Sequence, residues 1–210
     1  METNRTAKHR VEFFYDLVCV HSYLGFTRLS RALEQYRKTG AEVDVVFRPF
    51  QLVPNEPATG RPLFEVHREG FGEEMARTIS QDRSFGAQDG LDVSFDRAVF
   101  TNTFDAHRLV AAAAEQGKGE RMAERLFRAY FSDGLNIADA ETLRTLSEEV
   151  GVRPGGVSAE VLRERLDRVH EAGVTSVPLF IFDGGAALSG ARSTDAFLEA
   201  LGQIVSPVAD

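Results

Sequence analysis

The 210-residue sequence contains no tryptophan and only one cysteine, Cys19. A single cysteine cannot form an internal disulfide, and a structural zinc site normally draws on several thiolates or on a cluster of cysteine and histidine side chains. One histidine, His21, stands close to Cys19, and the others are widely scattered: His9, His67, His107 and His170. We therefore predict neither a structural disulfide nor a metal site.

Basic charge and long apolar runs are also scarce. Acidic residues outnumber basic ones 32 to 24, so the formal net charge is −8, and no basic stripe with interleaved aromatic residues suggests nucleic acid as a partner. The N-terminus, METNRTAKHR, lacks the apolar run of a secretory signal, and no segment approaches membrane-spanning length. We expect a cytoplasmic protein with no membrane partner and enough residues to bury a core.

The first sixty residues have the pattern of a βαβ unit. The apolar and aromatic run VEFFYD (11–16) predicts a buried strand, and apolar residues recur at helical spacing from Ser22 until Gly40, a typical residue after a helix end. A second strand is predicted at 41–50. Cys19 consequently lies at a strand-to-helix junction, at or just before the N-terminus of a helix.

The middle of the sequence is helical in pattern, and the end returns to strands. Asp139 and Ser158 are suitable N-caps for two of the predicted helices, and all five cover 63–79, 96–116, 119–131, 139–150 and 158–172. Two strand-like runs, 177–182 and 186–190, flank a DGG turn and precede a closing amphipathic helix. The order predicts an α/β fold in which a large all-helical insertion separates a βαβ half from a ββα half.

Several motifs in this order identify a family resemblance. The segments DLVCVHSYLG, FRPFQLVP, NTFDAHRL and GVTSVPLFIF resemble the DsbA-like branch of the thioredoxin superfamily, and FrnE-type proteins in particular. The layout is also similar to kappa-class glutathione transferases and 2-hydroxychromene-2-carboxylate isomerases. The resemblance implies a thioredoxin-like fold with halves at 9–60 and 173–206 around a helical insertion at 61–172.

The sequence departs from the family at its most important motif. DsbA-like oxidoreductases carry Cys-x-x-Cys, whereas this chain has CVHS, with Cys19 in the first position and Ser22 in the second. Disulfide donation needs a second thiol to resolve the mixed disulfide, so ordinary dithiol chemistry is not expected. By the resemblance, Pro178 is the family's cis-proline, and the Val177–Pro178 bond lies beside the active thiol.

Cys19 is the candidate nucleophile. Unpaired N–H groups at a helix N-terminus and a nearby cationic His21 favour a lowered thiol pKa, and the Ser22 hydroxyl is placed to donate to the sulfur. The alternative is a buried cysteine that acts as a small apolar residue. His21 could equally be a surface residue, and Ser22 could simply satisfy backbone donors.

The resemblance implies that further residues surround the thiol. Aromatic side chains near it would favour an apolar, planar substrate, and those expected there are Tyr15, Phe50 and Phe104. In the family the helix that begins near Asn102 starts close to the thiol, so Asn102 and His107 are candidate pocket residues. Their alternative roles are a helix cap and a buried, hydrogen-bonded histidine.

Three functions remain open at this stage. The first is a thiol-dependent cis–trans isomerase acting on a conjugated small molecule, such as a polyene or enone from natural-product biosynthesis, because one thiol suffices for reversible addition. The second is monothiol disulfide exchange or transfer that uses glutathione or mycothiol as a co-substrate. The third is a non-catalytic thioredoxin-like binding module. No bound cofactor is predicted, and a homodimer is possible because related proteins are often dimers.

Overall fold

A parallel strand pair joined by a helix opens the fold. The computed structural model describes residues 9–153 and 155–204. Strand β1 (His9–Tyr15) leads into helix α1 (Val20–Arg37), which returns to strand β2 (Val43–Pro49), parallel to β1. The predicted βαβ unit is confirmed. The expectation of no secretory signal rests on the N-terminus, of which residues 1–8 lie outside the described residues.

The C-terminal segment completes the same sheet. Strand β5 (Leu179–Phe182) pairs antiparallel with β1, and β6 (Ala187–Ser189) pairs antiparallel with β5, so the strand order is β2-β1-β5-β6. Helix α8 (Thr194–Gly202) follows, capped by the Ser193 side chain. The predicted hairpin and closing helix are therefore confirmed, while residues 205 and 206 of the predicted C-terminal half lie outside the described residues.

In the part of this segment that the structure describes, six α-helices and a short two-stranded ribbon lie between these halves. The ribbon, which the sequence pattern did not predict, pairs β3 (Arg61–Pro62) with β4 (Val99–Phe100). The helices are α2 (Leu63–Phe71), α3 (Glu73–Gln81), α4 (Phe104–Ala114), α5 (Gly119–Phe131), α6 (Ala140–Val150) and α7 (Ala159–Glu171). Within the described part of the chain, no helix has both the length and the apolar character needed to cross a membrane.

Two of the predicted helices begin or run differently in the structure. The helix predicted at 63–79 is split at Gly72, whose φ of 84° lies in the left-handed region that glycine tolerates. The helix predicted from residue 96 starts only at Phe104, because β4 occupies part of the preceding segment. Asp139 and Ser158 cap α6 and α7 as predicted, each accepting a backbone N–H three residues on.

Aromatic and aliphatic side chains cover both faces of the sheet. On one face the Phe13 ring stacks on Phe180 and Phe26, with centroid distances of 4.8 and 5.4 Å, so α1 is anchored to the sheet. On the other face Phe14 belongs to a cluster with Val169 of α7. Both faces of the sheet are therefore covered, and Cys19 lies at the end of the sheet where β1 and β2 stop.

Gly25 lets α1 approach the start of β5 closely. A Cβ atom at this position would lie 3.1 Å from the Phe180 ring and 3.3 Å from Pro178 Cγ. Phe180 is fully buried in the aromatic stack, so it has little room to move. The glycine therefore sets the distance between the helix that carries Cys19 and the segment that carries Pro178.

We predict that Gly25→Ala lowers the free energy of unfolding by up to about 2 kcal/mol, because crowding a packed core costs about 1–3 kcal/mol and helix propensity returns about 1. The matched control is Gly70→Ala in α2, where a Cβ would meet no atom within 4 Å. This control should raise stability by about 0.5–1 kcal/mol. Urea denaturation of both variants measures the difference, and an equal gain in both would contradict the close approach at Gly25.

Candidate functional site

Cys19 is the N-cap residue of α1, at the end of a turn that leaves β1. Its N–H donates to the Asp16 carbonyl at 3.1 Å, and its carbonyl accepts from the Tyr23 N–H at 3.1 Å. The side chain is buried, and its sulfur lies 3.7 Å from the Val177 carbonyl oxygen. The Val177–Pro178 peptide bond is cis, as the resemblance implied. The CVHS motif and this bond, which are 158 residues apart, thus meet at one site.

Val177 offers a free backbone N–H in addition to the carbonyl that contacts the sulfur. It is partly exposed and lies before β5, which begins at Leu179, while Pro178 is buried. Within residues 9–153 and 155–204, the Val177 N–H has no hydrogen-bond partner. A peptide-like or carbonyl-bearing ligand could pair with this edge next to the thiol.

Ser22 is fully buried one helical turn beyond Cys19. Its Oγ makes no hydrogen bond of standard geometry to any described residue, yet it lies close enough to the sulfur to lower the pKa of Cys19. Because a hydroxyl donates more strongly to an anion than to a neutral thiol, this group is positioned to stabilise the thiolate.

Burial nevertheless raises the pKa of Cys19 above its ordinary value. The Ser22 hydroxyl and the backbone N–H groups of Ser22 and His21 lower this pKa, while the charge of Asp16 raises it further. The expectation of a lowered pKa is therefore wrong for the resting protein, because desolvation outweighs the helix N-terminus. At neutral pH the resting group is a thiol.

The His21 side chain lies at the surface. It is exposed, and its ring meets Phe85 edge to face at a centroid distance of 5.5 Å. Only its backbone N–H contributes to the pKa of Cys19. The structure thus supports the surface-residue alternative and not a role of the imidazole in tuning the thiol.

A buried carboxylate that the sequence analysis overlooked lies behind the cysteine. Asp16 has no exposed surface, and its Oδ2 accepts the Leu52 N–H at 2.7 Å. Its Oδ1 lies 3.3 Å from His107 Nε2, which is also 3.0 Å from the Phe50 carbonyl oxygen. The His107 side chain is entirely buried, so it does not line an open pocket as the resemblance implied.

Asn102 organises the wall of the site through hydrogen bonds. Its Oδ1 accepts the Phe104 N–H at 2.8 Å and Gln51 Nε2 at 3.2 Å, and its Nδ2 donates to the Pro54 carbonyl at 2.8 Å. Thr103, and not Asn102, is the N-cap of α4, and its side chain makes no capping bond; Asn102, one position earlier, accepts the N–H of the first helical residue instead. Gln51, a second residue missed from the sequence, also donates to Thr103 Oγ1 at 3.3 Å.

The three predicted aromatic residues lie in different places. Tyr15 is buried and packs edge to face against His107 at a centroid distance of 4.9 Å. Phe50 belongs to the cluster that includes Val177, whose carbonyl oxygen lies 3.7 Å from the sulfur. Phe104 instead packs against the α4–α7 cluster, with the Arg163 guanidinium 5.4 Å from its ring centroid. A place for Phe104 near the thiol stays a prediction.

Asp16 carried a recognisable signal in the sequence. It is an acidic residue that ends an apolar strand three positions before the only cysteine, and a carboxylate in such a place is a candidate for a functional site. Over residues 9–153 and 155–204, no three histidine, cysteine or acidic side chains form a metal-binding group.

Comparisons with known proteins agree with this geometry. Residues 10–202 match the DSBA-like thioredoxin domain family. The structure of the probable DsbA oxidoreductase SCO1869 from Streptomyces coelicolor is 26% identical, with a TM-score of 0.76 over 96% of this chain and 93% of that one. The predicted thioredoxin-like α/β fold with its helical insertion is thereby confirmed.

Two further solved structures share the fold at lower identity. The 2-hydroxychromene-2-carboxylate isomerase is 15% identical with a TM-score of 0.64, over 93% of this chain and 95% of that one. The cytosolic disulfide reductase DsbM from Pseudomonas aeruginosa is 23% identical with a TM-score of 0.58, over 93% of this chain and all of that one. The same fold therefore occurs in proteins described as isomerases and in proteins described as oxidoreductases.

We predict that Ser22→Ala slows alkylation of Cys19 by iodoacetamide about 3–10-fold at fixed neutral pH, because a hydrogen bond to the thiolate worth about 1 kcal/mol is lost. The pKa of Cys19 rises further, while the thermal midpoint stays equal or increases because an unpaired buried hydroxyl is removed. Intact mass spectrometry measures the rate. Ser30→Ala on the same helix is the matched control, and an equal rate in both variants would contradict the role of Ser22.

The raised pKa of Cys19 also predicts a pH dependence of stability. The folded-state pKa of Cys19 exceeds the unfolded one. The buried neutral thiol therefore contributes its full stabilisation of the folded state below about pH 8.5, and this stabilisation is lost as the pH rises through the folded pKa. The difference in unfolding free energy between the wild type and Cys19→Ser should therefore shrink between about pH 8 and pH 10. Both proteins contain the buried tyrosines, whose raised pKa values act at higher pH, so the contribution of these tyrosines cancels in the difference. A constant difference would contradict the buried thiol.

Proposed function

Because the chain belongs to the DsbA-like thioredoxin family, we propose that it is a thiol-dependent enzyme with Cys19 as its single nucleophile. The reaction we propose is cis–trans isomerisation of a conjugated small molecule, such as a polyene or enone from natural-product biosynthesis. The observation that carries the proposal is the buried, unpaired Ser22 hydroxyl in the position of a second cysteine. Such a site can stabilise one sulfur anion but cannot resolve a mixed disulfide.

The proposed cycle needs no oxidant and no second thiol. As the Cys19 S–H bond breaks, the sulfur adds to the electrophilic carbon of a conjugated carbonyl compound and the proton passes to the carbonyl oxygen. The former carbon–carbon double bond becomes a single bond that can rotate, because its electron pair now joins the adjacent carbon to the carbonyl carbon while the carbonyl pair moves to the oxygen. Elimination then restores the double bond as the C–S bond breaks, and the sulfur regains its proton.

Several groups near the sulfur suit such a substrate. The free Val177 N–H can donate to a carbonyl oxygen, where negative charge develops during addition. Leu52, whose N–H donates to the Asp16 carboxylate, exposes apolar surface, and Phe50 packs in the cluster with Val177. These groups favour a compact, largely apolar molecule with one hydrogen-bonding carbonyl. No step requires a bound cofactor.

A second candidate is exchange of Cys19 with the disulfide of a low-molecular-weight thiol, such as glutathione or mycothiol. The Val177 edge beside the sulfur favours it, since a peptide-like backbone can pair there. A solved structure of the disulfide reductase DsbM with GSH, 23% identical to this chain, shares the fold. In this reaction an external thiol, not Ser22, releases the bound group from Cys19.

Location and assembly stay predictions. We propose that the enzyme works in the cytoplasm, which the cytosolic description of DsbM supports. A homodimer also stays a prediction, which light scattering of the purified chain tests directly. A non-catalytic binding module is the outcome to consider if both thiol reactions are absent.

The test is isomerisation of (Z)-4-phenylbut-3-en-2-one to its E isomer, followed by absorbance and chromatography. We expect turnover by the wild type and a loss of about 100-fold or more in Cys19→Ser, because the nucleophile is removed. Thr145→Ala, on the exposed surface of α6, is the control and should keep the wild-type rate. Isomerisation by Cys19→Ser at the wild-type rate would contradict the mechanism.

The same proteins distinguish the alternatives. Reduction of bis(2-hydroxyethyl) disulfide that requires both glutathione and Cys19, without isomerisation, would favour thiol exchange. Absence of both activities, together with protection of Cys19 from iodoacetamide until unfolding, would favour the binding module. Circular dichroism of each variant shows whether a loss of activity reflects a loss of fold.

A further inference from the structure

Strand β2 is an edge strand whose outer side borders a groove. The strand order β2-β1-β5-β6 leaves β2 without a second strand neighbour among the described residues. A groove of about 670 Å³ lies beside it, lined by Val45 and Phe47 of β2 and by Ala114, Gly117 and Gly119 at the connection between α4 and α5. An edge strand that is neither covered nor blunted is a template for another strand.

Hydrogen bonds at the two ends of β2 show which of its backbone groups face outward. The Glu42 carbonyl accepts the His9 N–H at 2.9 Å, and the Phe50 N–H donates to the Tyr15 carbonyl at 2.9 Å, so both Glu42 and Phe50 turn their backbone groups toward β1. The pairing of β1 with β2 is one-to-one along the whole strand. Because successive residues of a strand direct their N–H and C=O groups to opposite sides, the even-numbered residues of β2 face β1 and the odd-numbered residues face the groove.

The outward backbone groups of Val45 and Phe47 have no partner. The Val43 carbonyl, which also faces outward, accepts Arg37 Nη2 at 2.7 Å, and Pro49 has no N–H to offer. No described residue makes a hydrogen bond to the outward N–H or C=O groups of Val45 and Phe47. Two donors and two acceptors, spaced two residues apart, are therefore available to a molecule in the groove.

We propose that β2 binds an extended peptide segment of another protein, which adds to the sheet as a further strand in this groove. The alternation of N–H and C=O groups at Val45 and Phe47 complements the backbone of an extended chain, as in other strand-addition complexes. The small residues at 114, 117 and 119 leave space beside the edge for one such chain. Residues of α1, α4, α5 and α7 also line the groove, so the sheet edge of a second folded copy would meet these helices.

Charge along the rim of the groove indicates the composition of the peptide. Arg121 makes no ion pair with a described residue, while Asp44, which also lines the groove, acts on Arg37. Two rim arginines are paired with glutamates: Arg37 with Glu120 at 2.6 Å, and Arg165 with Glu115 at 3.4 Å. The partner is therefore a peptide with apolar, strand-forming residues and an acidic residue that can pair with Arg121.

Amide hydrogen exchange, followed by NMR, tests the assignment of the free edge. We expect the N–H groups of Val45 and Phe47 to exchange about 100-fold faster than those of Val46 and Arg48, which face β1. Val45→Pro removes only an outward N–H, as Pro49 already does in the same strand, whereas Val46→Pro removes an N–H that faces β1. Val46→Pro should therefore unfold at a lower urea concentration than Val45→Pro, and equal midpoints would contradict the assignment.

A displayed library of random decapeptides, selected against the wild-type protein, tests the binding. Enriched peptides, labelled with fluorescein, should slow exchange at Val45 and Phe47 and should bind Val45→Pro about tenfold more weakly or worse, because one hydrogen bond is lost and the proline ring occupies the edge. Val45→Thr keeps the outward N–H and should keep the affinity. Ala114 is exposed at the end of α4, so Ala114→Lys fills part of the groove and should also weaken binding.

Controls separate this surface from the Cys19 site and from self-association. Cys19→Ser should bind the selected peptides as the wild type does, and a loss of binding in this variant would assign the peptides to the Cys19 site and overturn the proposal. Failure to enrich any peptide, or equal affinity for the wild type, Val45→Pro and Ala114→Lys, would also overturn it. Dimerisation in sedimentation velocity that Val45→Pro abolishes would make a second copy the occupant and contradict the peptide. If Val45→Pro does not fold, Ala114→Lys decides the outcome.

Discussion

Burial of the Cys19 sulfur between Asp16 and Val177 is the constraint on which the site depends. The sulfur is held there because α1 starts where β1 ends and because Gly25 lets the helix approach Pro178 and Phe180. Removing a thiol from water disfavours its anion, so every polar group around the sulfur affects whether it can react. The packing that buries Cys19 therefore also determines how readily its sulfur can react.

The site balances that burial with a small number of directed groups. Ser22 and two backbone N–H groups favour the thiolate, while Asp16 opposes it, and the pKa of Cys19 ends above its ordinary value. Burial therefore keeps the resting sulfur protonated, and Ser22 with the two backbone N–H groups stabilises the anion when it forms. A dithiol site has a different requirement, because its second sulfur must be available to displace the first.

Local patterns predicted the fold better than they predicted the site. Apolar periodicity located β1, α1 and the closing hairpin, and the order of motifs brought Cys19 together with Pro178. The contact between Asp16 and His107 joins residues 91 positions apart, so no local pattern could reveal it. The direction of the Cys19 pKa was also beyond the sequence, since helix position is a local property whereas burial is set by the whole fold.

The central claim is that Cys19 bonds covalently to the substrate, and trapping that adduct tests it most directly. Wild-type protein incubated with (Z)-4-phenylbut-3-en-2-one is quenched with borohydride, which reduces the adduct's ketone and prevents elimination. The proposed mechanism predicts a protein mass increased by one reduced probe molecule, located on Cys19 by peptide mapping. Rapid isomerisation by wild type with no trapped adduct on Cys19 would contradict it.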